Sequence, residues 1–129
     1  MKQTDITVLL VDDEVAFANT LAQRLKMRDF KVGIAYDGEQ ALSKVREKKP
    51  DVIVLDLKMP GMQGMEVLQE IKKAYPDMQV IVLSGHGTDK DEEEARRLGG
   101  FDFLKKPADI DHLEHRIKAA FKEKVERTL

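Results

Sequence analysis

Uninterrupted apolar runs alternate along this chain with stretches in which apolar residues recur every three or four positions. The first run is Ile6-Thr7-Val8-Leu9-Leu10-Val11. From Glu14 to Arg28, Phe17, Leu21 and Leu25 then lie four apart with Ala18 and Ala22 beside them, which predicts a helix with one buried face. Lys31 to Ala35 reads as a short second strand. Asp37-Gly38 turns the chain, and Asp37 with Gln40 three residues on predicts a capped helix carrying Ala41, Leu42 and Val45, ended by Pro50. Asp51-Val52-Ile53-Val54-Leu55-Asp56 is a third strand. A Met59-Pro60-Gly61 loop leads to a helix with Met65, Leu68, Ile71 and Tyr75 on one side, stopped by Pro76. Gln79 to Leu83 is a fourth strand and Ser84-Gly85-His86-Gly87 a loop. Thr88 with Asp91 caps a short acidic helix that reaches Leu98 before Gly99-Gly100. Phe101 to Leu104 is the fifth strand, and Ile110, Leu113, Ile117, Phe121 and Val125 stripe the last helix.

A fivefold strand-helix alternation predicts an α/β, doubly wound parallel sheet. The continuously apolar strands indicate a sheet covered on both faces, hence three layers. No low-complexity segment, long linker or solenoid repeat interrupts the pattern, so residues 1–129 are expected to form a single domain, long enough for one core without staples. With 22 basic and 24 acidic side chains the net charge is -2, which exerts no long-range pull on nucleic acid or anionic lipid. The basic cluster Lys44, Arg46, Lys48 and Lys49 lacks interleaved aromatics, so direct nucleic-acid binding is not expected. The absence of cysteine excludes disulfides, thiolate metal sites and a cysteine nucleophile. The first residues carry no secretory signal and no apolar run approaches the ~18 residues of a membrane span, so a cytoplasmic protein without membrane contact is expected.

The chemistry-bearing residues fall at the predicted carboxyl ends of the strands. Asp12 and Asp13 follow the first, Asp56 ends the third, Ser84 follows the fourth, and Lys106 lies just past the fifth. In an open parallel sheet the ligand crevice lies outside those ends, so the side chains can converge. At about 4 Å and an effective dielectric near 20, each like-charged pair among three carboxylates costs roughly 4 kcal/mol, so the trio calls for a cation, a proton or a function. Magnesium favours such oxygen ligands. Phosphoryl transfer needs an in-line oxygen nucleophile and positive charge around the equatorial oxygens, which a carboxylate and Lys106 with the cation could supply, while Ser84 can donate a hydrogen bond. Taken singly, each residue has an ordinary reading: Asp13 as a helix N-cap, Asp56 as a strand-end turn residue, Ser84 as a partner of local backbone, Lys106 as a solvated charge. Together they would all have to fall by accident on one edge of one sheet. His86 could line the site or be a solvated loop histidine, and it is assigned no metal. The acidic run Asp89, Asp91, Glu92, Glu93 and Glu94 suits a helix N-terminus and is otherwise expected to be a solvated face.

These motifs resemble the receiver domain of bacterial two-component response regulators: Asp12-Asp13, then Asp56-Leu57-Lys58-Met59-Pro60-Gly61 with Gly64, then Ser84-Gly85, then Phe103-Leu104-Lys105-Lys106-Pro107, in the family's order and spacing from about Ile6 to Val125. The resemblance implies a flavodoxin-like five-stranded sheet of order 2-1-3-4-5 with five helices. It implies a phosphoacceptor that serves signalling rather than turnover. Asp56 would take a phosphoryl group from the phosphohistidine of a sensor histidine kinase or histidine phosphotransfer protein. Magnesium, with manganese as a substitute, would be held by Asp13, Asp56 and the backbone carbonyl of Lys58, with Asp12 acting mainly through water. Lys106, joined to Pro107 by a cis bond, would contact the phosphoryl group. Ser84 and Phe103 would form the switch that reshapes the surface of the fourth helix, fifth strand and fifth helix for a downstream target, an output domain or a homodimer. Phe103 stands where Tyr is commoner, which removes one possible hydrogen bond. Three alternatives compete. A haloacid-dehalogenase-type phosphatase needs a second acid two residues after the nucleophile, where this chain has Lys58. A flavin or nucleotide binder would be repelled by Asp12-Asp13-Glu14. A receiver-like interaction module that is never phosphorylated would be expected to carry a damaged site, whereas all five positions here are chemically competent.

Overall fold

The computed structural model describes residues 6–59, 61–85 and 87–128, so Pro60 of the predicted loop and His86 lie outside the described residues. In chain order the elements are β1 (Thr7–Val11), α1 (Val15–Lys26), β2 (Lys31–Ala35), α2 (Gly38–Lys48), β3 (Val52–Leu55), α3 (Gly64–Ala74), β4 (Gln79–Ser84), α4 (Asp89–Arg97), β5 (Asp102–Lys105) and α5 (Ile110–Arg127). All neighbouring strands pair in parallel, in the order β2-β1-β3-β4-β5. This is the flavodoxin-like arrangement, with the order reversing beside β1.

The two-residue period of the strands divides the core. Leu9, Val11, Ile53, Leu55, Val80 and Val82 point to one face and pack with Ala41 and Val45 of α2, Val67, Leu68 and Ile71 of α3, and Ala95 of α4. Val8, Leu10, Val52, Val54, Ile81 and Leu83 point to the other, against Ala22 and Leu25 of α1 and Leu113, Ile117 and Ala120 of α5. The central strands β1, β3 and β4 are therefore apolar on both sides, which is why no alternation of polar and apolar residues is visible in them. The two predicted caps form: Asp37 accepts from the Gln40 N–H, and Thr88 and Asp91 bond each other's backbone in a reciprocal capping box.

Boundaries shift by a residue or two from their predicted places, as at α1, β4 and β5. α1 stops at Lys26 because Asp29 turns to a φ of 71° and the Phe30 N–H bonds back to the Leu25 carbonyl at 3.2 Å. β4 runs on through Ser84, whose carbonyl accepts from the Lys106 N–H at 3.1 Å and prolongs the ladder with β5. β5 begins at Asp102 rather than Phe101. In register, Val11 lies beside Leu55, Leu55 beside Val82, and Ser84 beside Lys105, so the carboxyl ends of the central strands form one rim.

Candidate functional site at the carboxyl rim of the sheet

Asp12 and Asp56 each stay in the ladder one residue beyond their strands. The Asp12 N–H donates to the Ala35 carbonyl at 3.1 Å and the Asp56 N–H to the Val11 carbonyl at 2.9 Å. This places two buried carboxylates side by side at the rim. Asp13, half-buried, completes the trio: one carboxylate oxygen from each of Asp12, Asp13 and Asp56 lies within 4.8 Å of the others. Asp13 does not cap α1. The N-cap position is Glu14, whose side chain makes no capping bond, and the turn into the helix is closed by Asp12 Oδ1, which accepts from the Glu14 N–H at 2.9 Å. The ordinary reading of Asp13 is thus absent, and its carboxylate faces the site.

The backbone beneath Asp56 is fixed by α3. The Gly64 N–H donates to the Leu57 carbonyl at 3.0 Å, and a Cβ at Gly64 would lie 2.4 Å from the Asp56 carbonyl oxygen and 2.5 Å from Leu57 Cα. Only glycine allows the helix to start against the strand end. Asp56 Oδ1 accepts weakly from the Lys58 N–H at 3.3 Å, and the Lys58 side chain is exposed.

Lys106 reaches in from beyond β5, after which its bond to Pro107 is cis. Its Nζ lies 2.7 Å from Asp12 Oδ2, 2.9 Å from Glu14 Oε1 and 3.6 Å from Asp56 Oδ2, and 4.4 Å from the centre of the Phe17 ring. Lys105 is exposed. Burial acts to lower the Lys106 pKa, but its bonds to Asp12 and Glu14 outweigh that and hold the ammonium well above the ordinary lysine range. The Asp12 carboxyl is pushed up, first by burial. Its bonds to Lys106 and to the Glu14 N–H pull the other way, and the charge of Asp56 acts more weakly than any of these. Mutual repulsion is therefore a lesser strain on Asp12 than the sequence suggests, because a lysine already stands among the carboxylates.

Ser84 is fully buried at the end of β4. Phe103 is buried on the α2–α4 side, its ring pressed against the loop before α4: a Cβ at Gly87 would lie 2.3 Å from the ring tip. Glu14 and Phe17 also touch Lys106, although in the chain one reads as a helix start and the other as a core residue. The signal available was their position in the first turn after Asp12-Asp13.

The response regulator receiver domain model matches residues 8–118. Among solved structures, a receiver domain from Clostridium thermocellum is 33% identical, with 92% of this chain and 96% of that one covered and a TM-score of 0.88. A CheY-like receiver domain from Methanospirillum hungatei JF-1 is 25% identical, with 95% and 98% covered and a TM-score of 0.90. NtrX from Brucella abortus is 32% identical over 95% of this chain but only 29% of its own, with a TM-score of 0.87, so the same domain there is part of a longer polypeptide. The chain belongs to the response regulator receiver domain family, whose members are signalling phosphoacceptors of two-component systems. Among the described residues no helix is long and apolar enough to cross a membrane.

Proposed function

We propose that Asp56 accepts a phosphoryl group from the phosphohistidine of a sensor histidine kinase or a histidine phosphotransfer protein. The observation that carries this reading is the meeting of Asp12, Asp13 and Asp56 with Lys106 at one rim of the sheet. An Asp56 carboxylate oxygen bonds to phosphorus as the phosphorus–nitrogen bond of the donor breaks, and the electron pair leaves with the imidazole, giving an acyl phosphate. Lys106 neutralises charge on the equatorial oxygens, and Ser84 donates a hydrogen bond to one of them. The all-oxygen donor set fits a hard divalent cation: Asp13, Asp56 and the Lys58 carbonyl would hold magnesium, or manganese in its place, with Asp12 acting through water. When bound, that cation supplies further positive charge for the transferring group.

The output follows from the same residues. Phe103 is already buried here, so Ser84 moving toward the phosphoryl group would hold the ring inward and bias the surface of α4, β5 and α5, which a target, an output domain or a second copy then reads. Supporting this, Phe103 follows Asp102, and Asp102 is tied both to α4 through Arg96 at 3.1 Å and to α5 through Arg116 at 2.6 Å. A shift at β5 is thereby felt by both helices.

Incubation with acetyl phosphate and magnesium, followed by intact-mass measurement, tests the chemistry. One labile phosphoryl adduct is expected, absent in Asp56→Asn and blocked by chelator. Undiminished labelling of that variant, or a stable adduct on serine or threonine, would overturn the mechanism.

A further inference from the structure

Lys106 is held from one side. Asp12, Glu14 and Phe17 all belong to the β1 end and the start of α1, and they engage the ammonium at 2.7 Å, 2.9 Å and 4.4 Å, while Asp56 stands off at 3.6 Å. Glu14 and Phe17 are three residues apart on the first turn, so they present one surface to the lysine. The Phe17 ring is the floor over which the ammonium sits, and Glu14 is the carboxylate farthest toward solvent, its side chain 61% exposed. Asp12 has a second task in the acidic trio. Glu14 has none there, since the trio closes without it.

Resting on the phosphoacceptor reading above, we propose that Glu14 is a positioning residue that parks Lys106 against α1 in the unphosphorylated domain and thereby slows uptake of the phosphoryl group. A phosphoryl group on Asp56 brings a multiply charged oxygen acceptor within reach of Lys106, a stronger partner than an exposed carboxylate. The ammonium then leaves Glu14. A contact present only in the unphosphorylated ground state raises the barrier to uptake and leaves the barrier to loss untouched, because neither the transition state nor the phosphorylated state contains it. An exposed ion pair is weak, so the brake is graded: removing it should speed uptake by roughly two- to fivefold.

The test compares wild type with Glu14→Gln, which keeps the side-chain shape and removes the charge. Uptake is followed by intact mass with acetyl phosphate at fixed magnesium, and loss is followed after the donor is removed. Faster uptake at an unchanged rate of loss is expected, with the ratio of the two proteins' uptake rates approaching one as salt screens the exposed pair. The side-chain ammonium resonance of Lys106 in the unphosphorylated protein, read by NMR without any donor, should shift in the variant. Equal uptake rates, equal acceleration of uptake and loss, or an unmoved Lys106 resonance would each overturn the proposal. Labelling of both proteins at one common rate sinks the latch alone, whereas no labelling at Asp56 in either sinks the phosphoacceptor reading and the latch with it.

Discussion

Strand β3 has an aspartate just beyond each end, and the fold treats the two in opposite ways. Asp51, at the amino end, is saturated. Its Oδ2 accepts from the Thr7 N–H at 2.9 Å and the Thr7 hydroxyl at 3.0 Å, its Oδ1 accepts from Lys124 of α5, and its own N–H donates to Thr7. Asp56, at the carboxyl end, is more deeply buried, yet among the described residues its carboxylate accepts one long hydrogen bond and has a lysine 3.6 Å away that is nearer to other acceptors. The same side chain is a tie between β1, β3 and α5 at one end and an underused acceptor at the other. A buried carboxylate with few fixed partners costs stability and keeps its oxygens for chemistry, whereas a saturated one contributes stability and has none to offer.

Substituting both ends should separate these roles. Asp51→Ala strips partners from Thr7 and Lys124, and hydrogen bonds to a charged group are worth roughly 1.5–3 kcal/mol, so a loss of about 2–3 kcal/mol in urea unfolding is expected with phosphoryl uptake retained under folding conditions. Asp56→Asn should stay within about 1 kcal/mol of wild type while losing uptake altogether. Equal destabilisation by the two would mean that Asp56 is as structural as Asp51, and the contrast would fail.

The difference between the two aspartates was only half legible in the chain. Both flank the run Val52-Ile53-Val54-Leu55, and the strand direction implied by the βα alternation placed Asp56 at the ligand edge. Nothing local marks Asp51 as saturated, because its partners come from Thr7 and Lys124, 44 and 73 residues away in sequence. Long-range pairing of this kind has no period or motif. The same reason hid the grip of Glu14 on Lys106, 92 residues apart. Elements with strong local signals were placed closely, as with the Thr88 and Asp91 capping box. Gly85 marks Ser84 as a loop residue in the chain, but pairing with β5 carries the strand through Ser84 up to that glycine. Asp13 shows the converse: a residue type and position that suit a cap, overruled by Asp12 closing the turn.

Asp102 occupies a middle position between the two, a partly buried carboxylate whose partners join elements that the proposed switch would move. Burial acts to raise its pKa, but the Phe103 N–H at 2.8 Å, Arg116 and Arg96 lower it overall. A depressed carboxyl contributes stability that is present above the ordinary value of 3.8 and is lost as pH falls through the lower folded value. Asp102→Asn should therefore cost on the order of 1–2 kcal/mol at neutral pH, with the gap to wild type narrowing as pH drops below 3.8, in urea titrations run from neutral to acid. A gap that does not change with pH would show that packing, and not the ionised carboxylate, ties β5 to α4 and α5.

The smallest effect expected is the most discriminating for the carboxyl rim. Asp13 caps nothing, and among the described residues Lys106 pairs with Asp12, Glu14 and Asp56 but not with Asp13. Asp13→Ala thus removes a negative charge from beside two others without breaking a fixed contact. In chelator the variant should melt slightly higher than wild type, by a few degrees at most, since relief of a partly solvated repulsion is worth about 0.5–1 kcal/mol in a domain of this size. Millimolar magnesium should raise the wild-type midpoint by mass action and leave the variant nearly unmoved. Paired melts decide between two physical pictures. A variant that melts well below wild type in chelator would mean that Asp13 stabilises the start of α1 after all, through the helix dipole if not through a cap, and the rim would then be no more strained than the Asp51 end. A variant that gains stability in chelator and loses its response to magnesium would establish that the fold gives up stability at this rim to keep three carboxylates ready for a cation.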